Sequence, residues 1–292
     1  MTAPSNLGHE PVLVSEIMEH FGDLAGKVVL DATFGLGGHT RALAQSVGPS
    51  GRVIALEADP ESIAHARAQY EFPENVMILN GNFHDLAQIL PAHGIKTVDR
   101  ILMDLGISSW QLEHSGRGFS FNDPEALDMR VDPHLPHPAW WYAKTLGEKN
   151  LRRALERVGE RYAPRISKAV TNFVRGPVSA HALASEVARV VAQRGKLHPA
   201  TKLFLALRML TNNEQTNLET GLEEARKILA LNGILAVISF HSLEDRIVKI
   251  TSRAPGWKAL TKKPIVPTVA EIARNPRARS ARLRIIQKKS IT

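Results

Sequence analysis

VVLDATFGLGGHT, residues 28–40, carries the first architectural signal of the chain. Val28–Phe34 is an apolar run long enough for a buried strand. It breaks on Gly35, Gly37 and Gly38, and Gly38–Val47 continues with helical spacing. The motif therefore predicts a strand, a tight turn and a helix. The same alternation recurs downstream. RVIALEAD (52–59) is a second apolar run, Pro60 stands at a helix start, and Glu61–Tyr70 follows with good helix formers. NVMILNGNF (75–83) and VDRILMDLG (98–106) predict a third and a fourth strand. Apolar strands separated by helices indicate an α/β fold, with a mostly parallel sheet covered on both faces.

The rhythm then changes. Trp110–Pro138 is rich in Gly, Pro, Asp and Ser and has no strand pattern. Leu146–Val158, Pro164–Arg175, Ala180–Gln193 and Pro199–Leu210 all have helical spacing, with Pro164 and Pro199 at first-turn positions and Pro177 and Gly195 as separators. Residues 110–215 are expected to form an α-helical insertion. It would divide a sheet domain into a first part, 1–109, and a second part, 216–292, that ends in a basic tail. The second part opens with a helix over Leu218–Leu231, closed by Asn232-Gly233. A fifth strand (Gly233–Phe240) and a helix (Ser242–Arg253) follow. ARLRIIQKK (281–289) alternates basic and apolar residues, the pattern of an edge strand near water.

Composition narrows the function classes. Of 292 residues, 43% are hydrophobic and 23% charged, an ordinary globular balance that excludes coiled coil and collagen. No apolar run approaches the roughly 18 residues of a membrane span. MTAPSNLGHEP has neither the basic flank nor the apolar core of a targeting peptide, so a soluble cytoplasmic protein is expected. The chain has no cysteine. That removes thiolate metal sites and the cysteine nucleophile used for methylation at C5 of cytosine; no metal site is expected. Charge is segregated. Residues 249–292 hold twelve Lys/Arg and one acid, Glu271, a net of +11; residues 110–215 hold sixteen basic and ten acidic residues, a net of +6. The remainder carries nine basic and eighteen acidic residues, a net of −9. An acidic body beside two basic segments suits a polyanion gripped next to a site with different chemistry.

Candidate site residues fall at the carboxyl ends of the expected strands, where open parallel sheets bind ligands. Gly35, Gly37 and Gly38 let backbone approach a ligand closely. The turn is an imperfect dinucleotide fingerprint, because Thr40 stands where the third glycine or alanine belongs. Asp31 would repel a pyrophosphate; it suits a cationic group such as the amino-acid end of S-adenosylmethionine. Glu57, at the end of the second strand, can accept hydrogen bonds from both ribose hydroxyls, or can cap the helix that follows. Phe83 can lie against an adenine face or belong to the core. Asp104 can accept the N–H groups of an exocyclic amine, and Gln111 is a further hydrogen-bonding candidate. SFHSLEDR (239–246) combines a helix start with His241, which shares the strand edge with Asp31, Glu57 and Asp104. Arg157, Arg161, Arg165 and Lys168, and more densely Arg277, Arg279, Arg282 and Arg284, are candidates for phosphate contact.

At this point the chain resembles the bacterial S-adenosylmethionine-dependent methyltransferases that modify N4 of a cytidine in the decoding region of 16S ribosomal RNA. The resemblance rests on HEPVL (9–13), DATFGLGGHT (31–40), DLGISSWQL (104–112), RGFSF (117–121), LDMRVD (127–132), GERYAPRI (159–166), HPATKLFLALRML (198–210), SFHSLEDRIVK (239–249) and NPRARS (275–280). It implies a Rossmann-like class I methyltransferase with a helical insertion, and cofactor contacts on Gly37, Gly38, His39, Glu57, Phe83, Asp104 and Gln111. The chain departs from the pattern at Glu57, where the family often has Asp, and at Leu36, which replaces a frequent Arg. Amino-methyltransferases of DNA often carry Asp-Pro-Pro-Tyr after the fourth strand. Here Asp104-Leu105-Gly106-Ile107 lacks the aromatic, and Trp110, Phe119 and Phe121 are the candidates for stacking on the cytosine.

The expected activity is therefore methyl transfer to an rRNA cytidine amine, with Asp104 orienting the amine and His241 second. The expected partner is 16S rRNA or the small ribosomal subunit, with a homodimer as a candidate assembly. The insertion and the tail would grip RNA. Two rivals stand beside this reading: a noncatalytic RNA-binding assembly factor with a nucleotide-binding fold, and an NAD-dependent oxidoreductase, which Thr40 and Asp31 weaken.

Overall fold

The computed structural model describes residues 10–193 and 197–290; the expected helix separator Gly195 and His9 of the first motif lie outside them. The chain divides into two compact units. One comprises the residues up to Gly106 and from Asn217 onward, the other Ile107–Thr216.

The first unit begins with helix α1 (Val14–Phe21), strand β1 (Val28–Asp31), α2 (Gly38–Val47), β2 (Arg52–Glu57), α3 (Pro60–Gln69), β3 (Val76–Asn80), α4 (Leu86–Ala92) and β4 (Val98–Asp104). The second contains α5 (Ser109–Glu113), α6 (Ala139–Thr145), α7 (Gly147–Arg157), α8 (Ala163–Phe173), α9 (Ala180–Val190) and α10 (Thr201–Thr211). Helix α11 (Glu214–Ile228) returns to the sheet. It is followed by β5 (Leu229–Ser239), α12 (Ser242–Thr251), β6 (Trp257–Ala259), α13 (Val269–Arg274) and β7 (Arg282–Lys288).

The strands form one sheet of order β3-β2-β1-β4-β5-β7-β6. The pairs from β3 to β5 are parallel, and β7 runs antiparallel to both neighbours. Successive side chains alternate between two cores, as the period of a strand requires. Val29, Val53, Ala236, Ile238 and Leu283 face α1 and α2 through Ile17, Phe21, Leu43 and Val47. Leu30, Ile54, Leu56, Ile101, Met103 and Val237 face α4, α11 and α12 through Leu86, Leu90, Leu222 and Val248. Each such Val, Leu, Ile, Phe or Met side chain, once buried, is worth about 1.5–3 kcal/mol relative to water. This double covering is why the strands read as continuous apolar runs. No helix among the described residues is long and apolar enough to cross a membrane.

Two expectations are corrected. The helix read as closing on Asn232-Gly233 ends at Ile228, and Leu229–Leu231 already belong to β5. Asn232 takes a left-handed φ of 62°, and the β4–β5 register shifts between Val98 and Arg100. The Asn-Gly pair thus bends a strand instead of ending a helix. The second correction concerns β7, which is an interior strand: β5 flanks it on one side and the three-residue β6 on the other. Leu283, Arg284, Ile285 and Ile286 are all buried. The basic residue survives there because Asp245 on α12 accepts two hydrogen bonds from the Arg284 guanidinium, at 2.7 and 3.2 Å. Arg282 lies 3.5 Å from the same carboxylate. A charge that looks solvated in sequence is neutralised by a partner 39 residues away.

The second unit has its own core. Leu151 and Leu155 of α7, Ile166 and Val170 of α8, Leu183 and Val187 of α9 and Leu203 and Leu207 of α10 are buried together. The Gly/Pro-rich segment before α6 is ordered by side chains reaching across it. Arg117 donates to the carbonyls of Arg130 and Val131 at 2.9 and 3.1 Å. Asn212 accepts from the Val131 amide at 2.7 Å and donates to the Met129 carbonyl at 2.7 Å. Met129 itself has φ 57°, a conformation those contacts hold in place.

Removing one member of a buried ion pair strands the other. Asp245→Ala is expected to cost about 3–5 kcal/mol of stability, read from urea unfolding. A loss under about 1 kcal/mol would mean that Arg284 is solvated by some other route.

Candidate active site

The order β3-β2-β1-β4 places β1, the first strand, at the centre, with the chain winding outward on both sides. The crevice of such a sheet opens at the carboxyl ends of the strands beside this switch point. Asp31 ends β1, Glu57 ends β2 and Asp104 ends β4.

The turn after β1 is built by two threonines. Asp31 is fully buried, and its carboxylate accepts from the Thr33 amide at 3.2 Å and from the Thr40 hydroxyl at 2.6 Å. Both its oxygens thus brace the turn. Thr33 Oγ1 accepts from the Asp104 amide at 2.6 Å, which ties the turn to the end of β4. The Gly35 amide donates to Glu57 Oε2 at 2.8 Å, which ties it to the end of β2. Gly37 has φ 77° and caps α2, and a Cβ built on it would lie 2.6 Å from the Phe72 ring and 2.8 Å from Phe34. Only glycine fits there. Gly38 is crossed by Pro11, whose ring would lie 3.3 Å from an added Cβ.

His39, the second residue of α2, is buried between two acids. Its Nε2 lies 3.5 Å from Asp104 Oδ2, an ion-pair distance that is long for a hydrogen bond. Burial pulls the imidazole pKa down. The contact with Asp104 and the charges of Asp104 and Asp31 outweigh it, and the pKa ends above its ordinary value. Burial pushes the Asp31 carboxyl up despite the opposing His39 charge and the bonds from Thr40 and Thr33. Glu57 is buried with Oε1 accepting from the Asp59 amide at 3.0 Å. Its carboxyl is pushed up to about 7 by burial, which the Asp59 and Gly35 amides only partly offset.

The edge also holds unused capacity. Asp104 Oδ1 and both His39 ring nitrogens are buried without a hydrogen-bond partner. Buried polar atoms are normally paired, so an orphan acceptor at a strand edge points to a ligand group that completes it. Asp31 and Asp104 place two acids beside one imidazole, which suits a cationic ligand. Glu57 remains an acceptor within reach of the glycine turn. These features fit S-adenosylmethionine, with its cationic amino-acid end and its ribose diol.

The other expected residues fall as follows. Phe83 is half-buried, in a short 3-10 turn, and its ring covers Gly221 of α11, where an added Cβ would lie 2.4 Å away. His241 is the N-cap of α12: Nδ1 accepts from the Glu244 amide at 3.4 Å and Nε2 lies 3.1 Å from Glu244 Oε1. Its ring is held in the cap. In the helical unit, Gln111 is buried and forms a capping box with Ser108. Phe119 belongs to the helical core, Phe121 stacks on His198 with ring centres 4.8 Å apart, and Trp110 lies half-buried with the Arg117 guanidinium 5.8 Å from its ring. Arg277 is half-buried and Arg279 exposed, on a 3-10 turn anchored by the buried Ala278. The sequence reading passed over Thr33, Phe72 and Pro11. A hydroxyl two residues beyond a buried strand-end acid is a signal that could have found Thr33.

Comparison with known proteins gives the family. Residues 6–289 match the model of the MraW methylase family. The ribosomal RNA small subunit methyltransferase H of Thermomicrobium roseum is 40% identical, covering 98% of this chain and 95% of the relative. The protein of the same name from Coprothermobacter proteolyticus is also 40% identical, covering 96% of each. A solved structure of a SAM-dependent methyltransferase from Aquifex aeolicus superimposes with a TM-score of 0.45 at 13% identity, covering 98% of this chain and 94% of that one.

The elevated Glu57 carboxyl yields a pH test. Ribose hydroxyls need the ionised acceptor, so below about pH 7 binding must first expel a proton. Calorimetry with S-adenosylmethionine should give a Kd that falls as pH rises, by up to about tenfold per unit below the pKa, and levels off above it. Glu57→Gln should weaken binding by roughly 1–3 kcal/mol and remove that component of the pH dependence. An identical pH profile in the variant would take Glu57 out of the site.

Proposed function

The chain belongs to the MraW methylase family, and we propose that it methylates the exocyclic N4 of a cytidine in the decoding region of 16S rRNA, using S-adenosylmethionine. The observation that carries the proposal is the buried, unpartnered Asp104 Oδ1 at the end of β4. The two relatives are named for the small-subunit rRNA, which supports the substrate class.

When bound, S-adenosylmethionine supplies an electrophilic methyl carbon. The chain's own groups supply positioning and exclude water. Gly35 and Gly37 bring backbone up to the cofactor, and Glu57 accepts its ribose hydroxyls. Asp104 Oδ1 accepts an N–H of the cytosine amine, which fixes the nitrogen and turns its lone pair outward. His39 holds the other Asp104 oxygen and keeps the carboxylate in place. The methylated amine is acidic enough to lose its proton without a strong base. His241 sits in the α12 cap beside Glu244 with a buried Nε2 that has no hydrogen-bond partner, and it stands second to Asp104 for the amine. The absence of cysteine supports attack by nitrogen over chemistry at C5, which uses a thiolate. The cytosine has to leave its stack to reach the strand edge. Of the three aromatics proposed to stack on it, Trp110 and Phe121 are half-buried and Phe119 is buried.

RNA is gripped, in this reading, by the helical unit and by the basic C-terminal segment, where Arg274 and Arg282 are 67% and 45% exposed. The protein acts in the cytoplasm, where the small subunit is assembled, and a homodimer is compatible with the reading.

Nucleoside mass spectrometry of 16S rRNA from cells lacking the protein should show loss of N4-methylcytidine at one position, with C5-methylcytidine intact. Loss of C5-methylcytidine instead would refute the assignment. Replacing Arg277, Arg279 and Arg282 together with Ala should flatten the salt dependence of RNA binding, by about 0.7–0.9 in log–log slope for each phosphate the variant no longer neutralises. An unchanged slope would mean that these arginines touch no phosphate.

A further inference from the structure

The N-terminal strap Glu10–Leu13 crosses the cofactor turn, and the C-terminal segment fastens it there. The Pro11 ring lies on Gly38, the first residue of α2, and Val12 and Leu13 are buried. Leu13 adopts φ 57°, an arrangement an L residue keeps only when its neighbours hold it. Three contacts do so from the far end of the chain. The Leu13 amide donates to Glu271 Oε1 at 2.8 Å, across 258 residues. Asn275 Nδ2 donates to the Glu10 carbonyl at 2.9 Å. Arg274 Nη2 lies 3.6 Å from Glu10 Oε1.

Glu271 suits the position for two reasons. Leu13 is the N-cap of α1, whose first amides have no intrahelical acceptor. A carboxylate there also faces the positive end of the helix. Glu271 is itself fixed, since its amide donates to the Thr268 cap of α13 at 3.1 Å. The segment behind it is anchored through Ala278 and Ala281, buried in the same core as Val12 and Leu13. Fastener, strap and turn therefore form one chain of contacts, from α13 through Pro11 to Gly38 and on to His39.

We propose that Glu271 and Asn275 are positioning residues for the cofactor turn, acting through the strap and Pro11 on Gly38. This rests on the reading of residues 35–39 as the cofactor site. Neither residue touches the reacting atoms, so their loss should loosen cofactor binding and spare the chemical step.

The test measures S-adenosylmethionine affinity by calorimetry, and methylation kinetics on 16S rRNA, for Glu271→Ala, Glu271→Gln, Pro11→Ala and the Glu271→Ala/Pro11→Ala double variant. Glu271→Ala should raise Kd and KM for the cofactor about fivefold or more, with kcat at saturating cofactor within about twofold of wild type. Glu271→Gln, which still accepts the Leu13 amide, should recover most of the affinity. Because both residues act on one contact, the double variant should bind no more weakly than the weaker single variant. Wild-type affinity in Glu271→Ala, a loss in kcat with KM unchanged, or effects that multiply in the double variant would overturn the proposal. If Glu271→Ala fails to fold, Asn275→Ala takes its place in the cycle, with the same outcomes decisive. Amide hydrogen exchange across residues 35–40 of the cofactor-free protein reads the fastening without a cofactor. Faster exchange in Glu271→Ala upholds it even if wild-type protein binds no S-adenosylmethionine, which would refute the site reading alone. Unchanged exchange overturns the fastening.

Discussion

A histidine buried between two carboxylates is the constraint around which the sheet edge is organised. Taking charges out of water costs several kcal/mol each unless partners replace the missing solvent. Asp31, His39 and Asp104 meet that demand together. Thr33 and Thr40 satisfy Asp31, His39 balances both acids, and Thr33 also receives the amide of Asp104. The β1 turn, the start of α2 and the end of β4 cannot shift independently without stranding one of these groups. What the cluster leaves over is one carboxylate oxygen and two imidazole nitrogens without hydrogen-bond partners.

Much of this was legible in the sequence, for an identifiable reason. Strands buried on both faces read as unbroken apolar runs, so VVLD, RVIALE and LMD gave their elements and, at their ends, Asp31, Glu57 and Asp104. Glycines that a turn requires, such as Gly37, are equally local signals. What escaped the sequence was set by partners far along the chain. The Arg284 of β7 reads as solvated until Asp245 is placed beside it. The segment after Arg117 reads as a loop until Arg117 and Asn212 are seen holding its carbonyls and amide. That Asp31 also braces the turn shows only once Thr33 and Thr40 are placed against its oxygens.

The separation of charge follows the same division of labour. The excess of acidic residues lies in the sheet unit outside its C-terminal segment. The excess of Lys and Arg lies in the helical unit and in the C-terminal segment, which suit a polyanion. The C-terminal segment is not a loose extension: α13, the 3-10 turn and β7 are integral to the sheet unit, and their exposed arginines sit on a fixed frame.

The central claim is that the free Asp104 oxygen orients the amine for reaction. The direct measurement is the single-turnover methylation rate of Asp104→Ala on 16S rRNA at saturating S-adenosylmethionine, which removes any effect on cofactor affinity. The substitution takes away the acceptor oxygen. The account predicts a rate lower by at least about tenfold under those conditions. A wild-type single-turnover rate would contradict it and leave Asp104 as a structural partner of His39.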